Sequence, residues 1–164
     1  MGASALHFIT HKNKFKQGTT FNLTNNFVTP KLNWMIQNNI KLKRAVIEGK
    51  ALFGTLDSWL LYKLRMSPNS EKHPEHISDI TNASATGFYD PFDQSYSPWM
   101  LKEFGIDESM LPEVVDNSYD FGYTAPTLFG LPIKILMIAD QSASLIGNGC
   151  FRNMEAKVSN NSTH

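Results

Sequence analysis

The sequence predicts an α/β domain, and its last third carries that prediction. Residues 131–139 are a largely apolar run that stops at Asp140. A run of that kind reads as a strand buried on both faces. Small residues over 141–147 follow as a helix, and 156–160 open another strand. Strand, helix, strand in succession is the order of a parallel sheet.

The elements upstream read as follows. Residues 1–26 are a basic, polar stretch punctuated by Phe15, Phe21 and Leu23, and read as a loop or short helix. Thr29 and Pro30 open the first clear helix, since Thr caps and Pro suits the first helical position. In it Leu32, Met35 and Ile36 share a face, with Trp34 beside it, as far as Asn38. A second short helix over 42–48 stops at Gly49. A third begins at Thr55, and Leu56, Trp59, Leu60, Tyr62 and Leu64 make it apolar on most sides, which predicts burial. Residues 66–76 are a polar loop with Pro68 and Pro74. Residues 79–86 lead to a turn at Asp90-Pro91. A short amphipathic helix over 99–104 is capped by Gly105, and Pro112 ends its successor. Residues 122–130 are loop or sheet edge.

Composition narrows the function classes. The 164 residues hold 41% hydrophobic and 18% charged side chains, which describes a globular chain. Lys plus Arg and Asp plus Glu are both 15, so no basic footprint for nucleic acid exists. No stretch reaches the roughly 18–20 apolar residues of a membrane helix, and no signal peptide is legible at the N-terminus. A single cysteine, Cys150, excludes an internal disulfide framework and suits a reducing, cytoplasmic setting. Its ordinary role is a small hydrophobe in a turn. His73 and His76 flank Pro74-Glu75, but Pro74 prevents a helix-face ligand pair, and a solvated loop is the better reading.

Asp140 is the chief candidate for chemistry. Ligands of open α/β sheets sit beyond the carboxyl ends of the strands. A carboxylate there, against low-dielectric walls, can act as a base. Capping of the next helix is an equally good reading of these residues alone.

Several stretches resemble the FGGY carbohydrate kinases in order and spacing. Ala139-Asp140-Gln141, small residues, then Gly147-Asn148-Gly149-Cys150 is similar to the family's sugar-binding segment. Phe53-Gly54-Thr55-Leu56-Asp57-Ser58-Trp59-Leu60 resembles its Phe-Gly-Thr helix. Asp79-Ile80-Thr81-Asn82-Ala83-Ser84 resembles its Thr-Asn-Ala-Ser segment. Leu111-Pro112-Glu113-Val114 is a further match. The likeness spans residues 29–157, and Met35-Ile36-Gln37-Asn38 with the helix from Phe53 resembles the glycerol kinase branch.

The resemblance implies the later part of the N-terminal domain of a ribonuclease H-like, actin-like ATPase fold. The division expected is a poorly determined segment, 1–26, and a partial kinase domain, 27–164. The phosphate loop, an Arg-Glu pair gripping glycerol and a second domain are then expected outside this segment. Transfer of phosphate from ATP with Mg2+ to glycerol or a related polyol is the implied activity, in a homo-oligomer. Asp140 is the implied base and Gln141 a partner of a substrate hydroxyl. Asn26 stands where the family carries a glycerol-contacting Tyr, which puts glycerol contact there in question. Ser162 keeps a hydroxyl where the family has a Gly-Thr-Gly turn at the phosphates, but both glycines are replaced. Asp57 is implied as a structural first-turn residue. Asn82 and Ser84 are turn-formers beneath the site. A pentulose or other polyol kinase, and a non-catalytic relative that binds partners, are the alternative readings.

Overall fold

The computed structural model describes residues 27–67 and 73–158. Asn26 and Ser162 lie outside them. Apolar spacing builds two packed clusters, and the candidate site stands beside the second.

Helix α1, Val28–Asn38, starts one residue before the predicted cap. Thr29 is therefore inside the first turn and fully buried. Its hydroxyl donates to the Thr86 carbonyl at 2.9 Å instead of capping. Pro30 is tolerated there because first-turn N–H groups have no helical acceptor. Leu32 and Ile36 are buried, whereas Met35 and Trp34 are exposed, so the inward stripe is narrower than expected. Helix α2, Ile40–Ile47, is capped by Asn39, whose side chain accepts from Leu42 N at 3.1 Å. Gly49 follows with a φ of 64°.

These helices close over a cluster of Phe88, Met100, Leu101, Ile106, Met110 and Leu111. Helix α3 is Leu56–Arg65. The short strand β1, Ile77–Asp79, runs into helix α4, Ile80–Ser84. Strands β2, Tyr89–Asp90, and β3, Ser95–Tyr96, form an antiparallel hairpin. Helix α5, Pro98–Phe104, ends at Gly105 as predicted, with φ 60°. A 3-10 turn, Glu108–Met110, leads to β4, Glu113–Val115.

Strand β1 pairs with β4 in parallel, with Ile77 opposite Glu113 and Asp79 opposite Val115. Their carboxyl ends therefore face the same way. The second cluster, Leu61, Ile77, Phe121, Ile135 and Met137, packs beside this pair.

Among the described residues two expected strands do not form. Residues 131–139 form no regular strand, only a bridge from Lys134 to Tyr123. Backbone bonds from Thr124 N to Ile133 O and from Ile135 N to Gly122 O tie one edge. Burial alternates, with Ile135 and Met137 inside and Leu136 and Ile138 outside. That is the period of a one-faced strand, not of a strand covered on both sides. The described part of 156–160, Ala156 to Val158, is irregular. Helix α3 also departs from expectation. Ser58 and Leu61 are buried, but Leu56, Trp59 and Leu60 remain exposed, because only the face toward Ile77, Phe121 and Ile135 is covered. Helix α6, Pro126–Phe129, fills part of the predicted loop. Helix α7, Asp140–Gly147, is close to the helix read from the sequence.

Candidate active site

The site is built at the carboxyl ends of β1 and β4. The last residue of β1 is Asp79, which is fully buried. Asp is a strong N-cap, and its side chain accepts from Thr81 N at 2.9 Å and Asn82 N at 3.3 Å, starting α4. The Thr81 hydroxyl also donates to it, and Asn82 Nδ2 does so at 2.5 Å. Asn117, two residues past β4, donates from Nδ2 at 2.8 Å. Burial alone pushes this carboxyl's pKa up, but the bonds from Asn82, Thr81 and Asn117 outweigh that and hold it below the ordinary value.

The same groups reach the segment that ends in Asp140. Asn117 Nδ2 donates to Met137 O at 2.8 Å. Thr81 Oγ1 accepts from Ala139 N at 2.8 Å. Both Asn117 amide protons meet acceptors, so a flipped amide would set oxygen against oxygen. Side chains thus take the place that ladder hydrogen bonds would hold beside β1.

Asp140 occupies the first position of α7, after the cap residue Ala139. It is exposed, so the low-dielectric walls expected around it are not formed by the described residues. It is not the cap either; its Oδ1 accepts from Gln141 N at 2.7 Å. In the first turn its charge meets the positive end of the helix dipole. Gln141 is exposed too, and its Oε1 accepts from Lys157 Nζ at 2.5 Å.

A cleft of about 210 Å³ opens between α3 and residues 135–138, with Asp57 and Asn82 as its polar groups. Asp140 does not line it. Asp57 sits in the first turn of α3, as read from the sequence, and accepts from Ser78 Oγ at 3.0 Å, tying that helix to β1. Ser84 Oγ donates to Ile80 O at 2.5 Å within α4. Nearby, His76 Nε2 donates to Phe53 O at 2.7 Å, and burial pushes its pKa down despite that bond. Among the described residues no group of three or more His, Cys, Asp or Glu could hold a metal ion, and no helix is long and apolar enough to cross a membrane. The residues described therefore do not form a metal cage, and no metal-bound step follows from them.

The sequence reading singled out Asp140 and Gln141 but assigned no role to Asn117. The only signal for it was its place just after an apolar strand. Asp79 was read within a motif, not as the buried centre that joins three chain segments.

Comparison with known proteins gives a consistent picture. Residues 4–147 match the model of the FGGY family of carbohydrate kinases, N-terminal domain. Glycerol kinase 5 of Bos taurus is 37% identical over 154 residues, covering 93% of this chain and 28% of that protein. A glycerol kinase of Brucella ovis is 41% identical over 138 residues, covering 84% of this chain and 26% of the other. The crystal structure of a Plasmodium falciparum glycerol kinase with ADP superposes with a TM-score of 0.62 at 31% identity, over 74% of this chain and 23% of that one. The chain thus spans between 23% and 28% of the length of these relatives.

Proposed function

Because the chain belongs to the FGGY family of carbohydrate kinases, we propose that it supplies the sugar-side base of an ATP-dependent glycerol kinase. The observation that supports this most is the tether of residues 137–139 to the carboxyl ends of β1 and β4, directly before Asp140. Ligands of open α/β sheets gather at such ends.

In this reading Asp140 takes the proton of a glycerol hydroxyl. That oxygen bonds to the γ-phosphorus of ATP, the bond from phosphorus to the bridging oxygen breaks, and ADP leaves with sn-glycerol 3-phosphate as product. Phosphoryl transfer asks the protein for position and charge stabilisation more than covalent help, so one exposed carboxylate suffices as base. Gln141 hydrogen-bonds a second substrate hydroxyl. Ser162 is the proposed nucleotide contact. Mg2+ would travel with the phosphates, where it is commonly held by one or two carboxylates and the substrate itself. A homo-oligomer in the cytoplasm is the proposed setting.

The test is Asp140→Asn in the protein that carries these residues. Shape is kept and proton acceptance is lost, so kcat falls by roughly 10²-fold or more while ATP binding is unchanged. Turnover near that of the parent protein would remove the base assignment, whereas a parent protein without turnover would favour a non-catalytic relative. A second reading, a kinase of a bulkier polyol, is favoured by Asn26 at the position of the family's Tyr. Comparing glycerol, dihydroxyacetone and pentuloses as substrates separates the two; tight, exclusive use of glycerol would eliminate it.

A further inference from the structure

We propose that Thr81 and Asn117, joined through the buried carboxylate of Asp79, are positioning residues that fix where the Asp140 carboxylate stands. For catalysis the inference rests on the reading of Asp140 as base; as a statement about geometry it does not.

The argument starts from what holds the backbone before Asp140. Residues 131–139 belong to no ladder along the β1 side. Backbone pairing with 122–124 ends at Ile135. Beyond that point the hydrogen bonds recorded for the segment are those from Asn117 to Met137 O and from Ala139 N to Thr81, until α7 begins. Both lie within three residues of Asp140. Among the described residues Asp140 bonds only to the N–H of Gln141 and is exposed, so no other element holds its carboxylate. Its location is inherited from the backbone, and the backbone from this pair.

The pair is in turn aimed by Asp79. A hydroxyl has one proton. Thr81 spends it on Asp79, which leaves a lone pair facing Ala139 N. Asn117 has two amide protons and places one on Asp79 and one on Met137 O. Asp79 is acceptor-only when ionised, so it forces both partners into this donor pattern. A buried carboxylate satisfied by uncharged donors is stiff, which suits the support of an exposed functional group.

The experiment compares Thr81→Val, Thr81→Ser and Asn117→Ala in the protein that carries these residues. The first readout is hydrogen exchange at the Ala139 amide, with the Glu113 amide, bonded to His76 O, as control. Thr81→Val should exchange Ala139 at least tenfold faster with Glu113 unchanged, and Thr81→Ser should restore protection. Asn117→Ala, at a half-buried position, should likewise speed Ala139 and keeps the test decisive should the valine variant not fold. The second readout is steady-state kinetics with glycerol and Mg-ATP. Displacement of the base by about 1 Å costs on the order of 10²-fold, so kcat should fall 10- to 100-fold in Thr81→Val while KM stays within threefold. Unchanged Ala139 exchange in Thr81→Val and Asn117→Ala overturns the proposal. Faster exchange with undiminished turnover upholds the positioning and instead removes Asp140 as base.

Discussion

Thr29 and Thr86 are locked together by two bonds to one carbonyl, from the Thr29 hydroxyl at 2.9 Å and from the Thr29 N–H at 3.2 Å. The pair fastens the start of α1 to the end of the α4 segment. Gly87 follows with φ 90°, and a Cβ there would come within 2.9 Å of Thr29 Oγ1. Gly87→Ala thus meets backbone strain and a clash with the group that makes the lock. It should cost about 1–3 kcal/mol. A denaturant titration showing an unshifted midpoint would contradict this.

Phe121 is completely buried and stacks edge-on to Tyr119 at 5.5 Å. It is the largest member of the cluster with Leu61, Ile77, Ile135 and Met137. Phe121→Ala should destabilise by about 3–5 kcal/mol and loosen residues 135–137 before α1. Equilibrium unfolding gives the first quantity and amide exchange at Ile135 the second.

The Asp79 carboxyl has a lowered pKa, so the folded state holds its proton less tightly than the unfolded chain does. Its contribution is complete above the unfolded-state value of about 3.9 and is lost as pH falls through the lower folded-state value. Asp79→Asn should cost about 1.5–3 kcal/mol near neutral pH and should flatten the acid limb of the stability curve. An identical acid limb in the variant would show that this carboxyl is not linked to folding.

His76 acts in a higher window. Its folded pKa lies below the usual value, so stability is full above about 6.5 and declines as pH falls through the folded-state pKa. His76→Gln keeps a donor toward Phe53 O but cannot take up a proton. Melting temperature between pH 7.5 and 5 should therefore fall less in the variant than in the parent chain.

Local signals were legible where one residue decides the geometry. Gly105 ends its helix in the left-handed region, and the Phe53 to Leu60 motif places Asp57 in a first turn. Helices α1, α2, α3, α5 and α7 were also legible, because a 3.6-residue period needs no knowledge of the partner, whereas α4 and α6 are too short to show one. Residues 131–139 were misread because a continuous apolar run does not reveal how many neighbours it has. Leu136 and Ile138 are as hydrophobic as Ile135 and Met137, yet they lie outside. Asp140 was singled out through its place at the end of that run, and its exposure was not foreseen. Asn117 was missed because its role depends on contacts 38 and 20 positions away, which no local pattern encodes.

The Asp79 network is made of one anion and uncharged donors, with no cation among Thr81, Asn82 and Asn117. Mobile ions screen exposed charges across a Debye length of about 10 Å at 0.1 M, but they have little purchase on a carboxylate that water does not reach. The Arg65–Glu75 pair at 3.1 Å, with Glu75 open to solvent, is the kind of contact that salt weakens. The scaffold under Asp140 should consequently ignore ionic strength, and a salt dependence of the proposed transfer would arise from charges outside it, such as those of the phosphate donor.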